Sequence, residues 1–300
     1  MRILVTGSGG FIGKSLLELL FRDGHFVVAM YRHRRPEVSE FASDRLRLLR
    51  ADLSGDLPDL PPVDLIIHAA AHTHLIPNSR ASDYIQSNVI GMQNLADYAR
   101  RVKPQLFINF STLSVYGAVA VDELNEDTPL NKPGMYGLSK YMGEMILGEY
   151  AEYFPSICIR LPGVVGPDYF TPWIGTVVRK AALNEAIEIY NPDNDFNNIV
   201  DIVELHRFIS WVAGRDYQGC DCFNFAAANP LPIRKVVDLI LALTDSKSDV
   251  QILTTDRPSF VIQTSKLKQV FGFQPAATEE MTRRYVTDNL PTLKQLAVAG

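Results

Sequence analysis

Thr6-Gly7-Ser8-Gly9-Gly10-Phe11-Ile12-Gly13 follows an apolar run at 3–6 and opens a helical stretch at 11–22 that Asp23-Gly24 closes. Missing β-carbons let the chain turn tightly between strand and helix. They also let a pyrophosphate approach backbone N–H groups at a helix N-terminus, where the macrodipole favours negative charge. A glycine triplet alone is an ordinary turn. Strand, triplet and helix in that order are the first half of a βαβ unit built around a nucleotide.

Outward from this turn, short β-rich runs at 3–6, 26–31, 46–51, 64–68, 106–111 and 156–161 alternate with helical stretches at 11–22, 81–101 and 136–153. The last helix is entered from the turn Lys132-Pro133-Gly134. Six such strands predict an α/β fold, a Rossmann-type doubly wound parallel sheet covered on both faces. After Gly166-Pro167 the alternation gives way to turns such as Asn191-Pro192-Asp193-Asn194 and to helices near 176–186, 232–243 and 278–289. The expected division is a dinucleotide-binding domain over 1–166 and a smaller C-terminal substrate-binding domain over 167–196 and 227–300. Because 222–226 reads as a short buried strand, the chain is expected to return to the first domain around 197–226.

With 300 residues, 47% of them hydrophobic, the chain has enough apolar material for a full core. Its net charge of −5 comes from charges mixed along the sequence. No basic stripe points to nucleic acid and no basic amphipathic helix to a membrane surface, so the expected partner is a small molecule. The chain enters its first strand too early for a signal peptide and contains no apolar run near the ~20 residues that span a bilayer, so a cytoplasmic enzyme is the expectation. Cys158, Cys220 and Cys222 lack metal-ligand spacing and read as reduced thiols filling a core; no metal is expected.

The spacing Gly7, Gly10, Gly13 resembles the TGxxGxxG form of the extended short-chain dehydrogenase/reductases, the NAD-dependent epimerase/dehydratase family with its sugar-nucleotide members. The resemblance places cofactor contacts at Gly7, Gly10, Phe11, Ile12 and Gly13. Asp52-Leu53 resembles the pair that meets adenine, although Asp52 alone is equally an ordinary turn carboxylate. His68-Ala69-Ala70-Ala71 matches the HxAA segment, whose alanines leave room for the cofactor, and Asn88 with Gly91 matches the NxxG helix. An NAD enzyme places an acid at the end of the second strand for the ribose 2′-hydroxyl. This strand ends Ala29-Met30-Tyr31 and continues Arg32-His33-Arg34-Arg35, with no acid; beside the plain reading of a solvated basic loop, Arg32 is expected to stack on adenine or meet a 2′-phosphate, and NADP is favoured over NAD.

Tyr136-Gly137-Leu138-Ser139-Lys140 sets a phenol and an ammonium one turn apart on one helix face, where the cation favours phenolate. Such pairs are common on helices. Here the strand end Phe110-Ser111-Thr112-Leu113-Ser114-Val115-Tyr116-Gly117 lies upstream, at the carboxyl edge of the sheet where such folds bind ligands. It resembles the family's hydroxyl-rich segment before V-Y-G. The resemblance makes Thr112, Tyr136 and Lys140 the catalytic residues, with Tyr136 and Lys140 also touching the cofactor. Ser114 and Arg257 are the expected substrate contacts. His72 and His74 lie near the expected nicotinamide end, where substrate contact is an alternative, but lone histidines are usually structural and neither is assigned a catalytic role.

The family's dehydratases carry an acidic pair directly after the catalytic Thr. Leu113 and Ser114 stand there, and leucine transfers no proton, which argues against dehydration. The expected activity is NADP(H)-dependent reduction of a ketone, a 4-keto sugar, its nucleotide or a small carbonyl. An epimerase holding NAD tightly and a non-catalytic dinucleotide-binding regulator are the alternatives. Downstream, Arg160-Leu161-Pro162-Gly163-Val164-Val165-Gly166-Pro167 and Asp195-Phe196-Asn197-Asn198-Ile199-Val200-Asp201 resemble sugar-nucleotide segments, but Gly163 and Asn194 replace the family's Asn and Arg. Thr264-Ser265-Lys266-Leu267 matches a late D-x-S-K-L in part. The resemblance further implies a homodimer through the helices at 81–101 and 136–153.

Overall fold

A computed structural model describes residues 1–38, 44–255 and 258–299. In chain order its elements are β1 (Arg2–Thr6), α1 (Phe11–Arg22), β2 (Phe26–Tyr31), β3 (Leu46–Arg50), β4 (Leu65–His68), α2 (Ala81–Tyr84), a π-helical turn (Ile85–Ile90), α3 (Gly91–Val102) and β5 (Leu106–Thr112). A 3-10 turn (Leu113–Tyr116), β6 (Glu123–Leu124), α4 (Met135–Glu149), β7 (Ser156–Leu161), β8 (Gly163–Val165), α5 (Trp173–Ala182), β9 (Ile187–Tyr190), β10 (Asp195–Phe196) and β11 (Ile199–Asp201) follow. The chain ends with α6 (Ile202–Val212), β12 (Cys220–Asn224), β13 (Leu231–Pro232), α7 (Ile233–Thr244), β14 (Val250–Leu253), β15 (Val261–Ile262), α8 (Ser265–Phe271) and α9 (Thr278–Ala299).

The chain forms two compact units. The first comprises residues 1–118, 128–160 and 208–223. Its seven-stranded sheet runs β12-β7-β5-β4-β1-β2-β3, with β3, β2, β1, β4 and β5 paired in parallel. Order reverses between β1 and β4, the switch point at which ligands of such sheets bind. The central strands are buried on both faces, so they read as continuous apolar runs: Leu65–His68 is fully buried, as is Leu106–Thr112, whereas the edge strand β3 is partly exposed. Leu4, Val28, Ile66 and Phe107 pack with Met92, Leu95, Ala99 and Leu147 from the helices. Each aliphatic side chain removed from water here contributes roughly 1.5–3 kcal/mol.

The second unit comprises residues 119–127, 161–207 and 224–300. Helices α5, α7 and α9 close over paired β9 and β14, burying Val177, Ile187, Ile189, Val236, Ile240 and Tyr285. Asn197 ties this unit internally: its amide donates to Ala227 O (3.0 Å) and Ile262 O (2.8 Å) and accepts from Ile262 N–H (2.9 Å). Asp201 accepts from Glu204 N–H (2.7 Å) and from Arg284 Nε (2.6 Å). The segment 195–201 therefore contributes these two side chains to structural contacts.

Three differences from the sequence expectation have physical causes. The late strand expected at 222–226 joins the sheet as its seventh, but runs Cys220–Asn224, two residues earlier. The stretch 81–101 is interrupted by a π turn at Ile85–Ile90, which inserts an extra residue where Asn88 must point inward. Helix α6 follows β11 without a loop, its start marked by the capping residue Asp201, and α8 is only seven residues long and does not stand out from its flanks.

Candidate active site

The glycine turn and the segment after β4 are packed backbone to backbone. Gly7 has φ +68°, and a β-carbon there would lie 2.5 Å from Ala70 N. Gly7 O accepts from Gly10 N–H at 2.9 Å, closing the turn. Helix α1 then starts at Phe11 with no side-chain cap and no acid in its first turn. Its first N–H groups thus point outward beside a positive dipole end, with Ala69, Ala70 and Ala71 adding no bulk. Ser8 Oγ donates to Met30 O (2.9 Å), fastening the turn to the end of β2. This cradle suits a pyrophosphate.

At the end of β2, Arg32 Nη1 donates to Ser87 Oγ (3.1 Å) and lies 3.8 Å from Asp52 Oδ2. Asp52 accepts the Ser54 N–H (3.0 Å) and hydroxyl (2.8 Å). Burial pulls the Asp52 carboxyl upward, but the Ser54 hydrogen bonds and the charges of Arg32 and His33 outweigh it and hold the group below its ordinary value. Leu53 is buried beside it, its carbonyl accepting from Asn94 Nδ2 at 2.8 Å. Sequence reasoning overlooked Ser87, because a serine inside a helical run carries no pattern that announces what it faces.

At the other end of the cradle, Thr112 closes β5 with its side chain turned back onto the next residues. Its Oγ1 accepts from Ser114 N–H and donates to Ser114 Oγ, both at 3.2 Å. Leu113 is half-buried and Ser114 exposed. Tyr136 is the second residue of α4, and Lys140 lies one turn further on. A β-carbon at Gly137 would fall 2.1 Å from Ser114 O, so only glycine lets α4 begin against the 3-10 turn. The Tyr136 ring is flanked by His74 (5.3 Å between centroids) and Tyr84 (6.5 Å). Arg257 lies outside the described residues.

Lys140 is only 4% exposed, and its ammonium makes no hydrogen bond among the described residues. Burial brings its ammonium down to about 8, against the upward pull of Cys158 and Glu144. His68, whose Nδ1 shares a hydrogen with Thr6 Oγ1 (2.7 Å), is held neutral by burial and by the Lys140 charge. A buried ammonium with unused donors beside a glycine cradle fits a ribose with its hydroxyls.

Asn88 joins these parts. Its Oδ1 accepts from His72 N–H (2.7 Å), and its Nδ2 donates to His72 O (3.0 Å) and Ser139 Oγ (2.9 Å), so the loop after β4 is stitched to α4. His72 bonds Ser79 Oγ (2.8 Å) and meets Tyr84 edge-on. Among the described residues, no His, Cys, Asp and Glu side chains group to hold a metal ion, and no helix is long and apolar enough to cross a membrane.

A family model described as the NAD dependent epimerase/dehydratase family matches residues 3–217. The chain is 27% identical over 306 residues to the "Uncharacterized UDP-glucose epimerase YtcB" of Bacillus subtilis (strain 168), covering 93% of this chain and 94% of the relative. It is 26% identical over 314 residues to a dTDP-4-dehydro-6-deoxy-D-allose reductase of a Streptomyces species, covering 94% and 95%. Among solved structures, UDP-glucuronic acid 4-epimerase from Bacillus cereus in complex with NAD superimposes with a TM-score of 0.79 at 20% identity, covering 99% of this chain and all of the other, a likeness of fold.

Proposed function

The chain belongs to the NAD dependent epimerase/dehydratase family, and from that premise we propose that it is an NADP(H)-dependent oxidoreductase reducing the ketone of a 4-keto sugar or its nucleotide. The observation that carries the cofactor preference is the end of β2. Tyr31 stands there in place of an acid, and the Arg32 guanidinium is held by Ser87 and Asp52. A half-exposed guanidinium held in this way suits a 2′-phosphate. The likeness to a relative named as a sugar-ketone reductase supports the reaction.

A bound nicotinamide supplies the hydride. Tyr136 donates its phenolic proton to the carbonyl oxygen, and Thr112, turned from Ser114 toward substrate, gives that oxygen a second hydrogen bond as charge develops. The Lys140 ammonium favours the phenolate left behind and orients the ribose through its remaining donors. Ser114, exposed beside Thr112, contacts the substrate in this reading. Leu113 offers no proton, so nothing directly after Thr112 promotes loss of water. A cytoplasmic setting belongs to the same reading.

Arg32→Ala tests the cofactor reading. Loss of a charge-assisted contact worth roughly 1.5–3 kcal/mol weakens NADPH binding about 10- to 100-fold and leaves NADH binding nearly unchanged, as read by fluorescence titration. Equal losses for both refute the role. The second reading, an epimerase, is favoured by the epimerase names among the relatives. The protein as purified distinguishes them: retained NAD supports the epimerase, and a site that exchanges added NADPH supports the reductase.

We further propose a homodimer through the 81–101 and 136–153 helices. Ile85, Ile90, Met135, Leu138, Met142 and Met145 are large apolar side chains left exposed there, Met145 at 58%. Exposed apolar side chains of this size suit a contact surface. Met142→Glu with Met145→Glu converts a dimer to monomer in sedimentation. A monomer before substitution overturns the assignment.

A further inference from the structure

Helix α4 carries Tyr136 and Lys140, yet its buried face is Gly137, Ser139, Lys140, Gly143 and Glu144, with Leu147 the first large apolar side chain. Its bulkier residues, Leu138, Met142 and Met145, point outward. Apolar contact is non-directional and by itself leaves a helix some freedom to slide and rotate. Directional contacts must therefore set the rotation of α4.

One comes from Asn88 to Ser139, and Glu144 supplies the rest. Its carboxylate accepts from Ser111 Oγ on β5 (2.5 Å), from Arg160 Nε (3.1 Å) and Nη2 (2.7 Å) on β7, and from Cys222 Sγ on β12 (3.3 Å). The carboxylate and guanidinium side chains are 3% and 7% exposed. Arg160 Nη1 reaches on to Tyr116 OH (2.8 Å), in the 3-10 turn that follows Thr112. One carboxylate thus ties α4 to three strands. Ser111 immediately precedes Thr112.

We propose that Glu144, gripped by Arg160, is a positioning residue that fixes the rotation and register of α4 so that Tyr136 and Lys140 meet the strand end at Thr112. The proposal rests on the reaction centre assigned above. A buried ion pair is no more stabilising than a well-packed apolar pair, because desolvation offsets its attraction. A bidentate pair does, however, admit few geometries, which is what orienting a helix requires.

Glu144 also acts through its charge. Facing it are Lys140 on its own helix, Ser111 on β5, Cys158 and Arg160 on β7, and Cys220 and Cys222 on β12. Its charge raises Lys140 against burial. Losing it lets Lys140 shed its proton at lower pH, which a role confined to packing does not predict.

The test compares Glu144→Leu/Arg160→Met, which removes both members of the buried ion pair together, with Ser111→Ala, which deletes one hydrogen bond. Turnover is followed with NADPH and a dTDP-4-keto-6-deoxy sugar, and Lys140 is titrated by NMR of lysine-labelled protein without substrate. The double variant is expected to lose about 100-fold in kcat with KM within about threefold, and Ser111→Ala about tenfold in kcat, the signature of misplaced rather than unbound substrate. Lys140 in the double variant titrates at lower pH. A kcat within about threefold of the unsubstituted chain in both variants overturns the proposal, and if the double variant does not fold, Ser111→Ala decides by that criterion. Tyr136→Phe run alongside separates the two readings. Retained turnover there defeats the reaction centre itself, whereas an inactive Tyr136→Phe beside active positioning variants defeats only this inference.

Discussion

Tyr136→Phe is expected to reduce kcat by roughly 10²–10⁴-fold, the range that a positioned general acid contributes. The substitution removes one oxygen and keeps the ring, so packing against His74 and Tyr84 survives and neither the thermal midpoint nor KM should change much. Lys140 remains, so cofactor orientation persists. The loss should appear in single-turnover oxidation of NADPH by a 4-keto sugar nucleotide, because the missing proton is needed in the step that moves the hydride. Thr112 then still gives the oxygen one hydrogen bond, which leaves residual activity above the uncatalysed rate. Turnover equal to that of the unsubstituted chain would remove Tyr136 from the mechanism and with it the centre built on Thr112 and Lys140.

The parts of this molecule legible in the sequence are those whose signals are local. The turn Gly7–Gly13 announces itself because strand, glycines and helix are adjacent in the chain, and the sheet strands at Phe26–Tyr31 and Ser156–Leu161 are bounded by turns on both sides. Helix α6 had a local signal that went unread: Asp201-Ile202-Val203-Glu204 is a capping pattern, and Asp201 Oδ1 accepts the Glu204 N–H at 2.7 Å. The π turn at Ile85–Ile90 had none, since its extra residue is demanded by what Asn88 must reach on α4, 51 positions away at Ser139. The Glu144 network was likewise invisible. Its contacts span 16 residues to Arg160, 33 to Ser111 and 78 to Cys222, and no periodicity within α4 distinguishes a carboxylate aimed at an arginine from one aimed at water. Placement of Arg32 falls between these cases, because its position after β2 follows from the strand while its grip on Ser87 does not.

Lys140→Met should abolish turnover and at the same time stabilise the protein at neutral pH. The ammonium is buried, and burial depresses it to about 8. A lysine whose folded value lies below its unfolded value binds its proton more weakly in the native state. Folding therefore carries a penalty, fully present at pH below about 8 and relieved as pH rises from there toward the unfolded value of 10.5. The penalty at pH 7 is of order 3 kcal/mol if one pKa unit is 1.36 kcal/mol. Methionine fills a similar volume, keeps no charge and has no such term, so the midpoint of thermal unfolding at pH 7 should rise by several degrees. Above pH 10.5 the advantage disappears, because lysine is then neutral in both states. Activity of the unsubstituted enzyme should fall as pH rises through about 8, where Lys140 loses the charge that favours the Tyr136 phenolate. Calorimetry of both proteins across pH 6 to 11 checks the stability claim: a Lys140→Met variant less stable than its parent at pH 7 would mean that the ammonium is solvated or paired in the native state. The gain expected here is large because a group retained for chemistry is being held where water would otherwise solvate it, and removing the chemistry removes the strain with it.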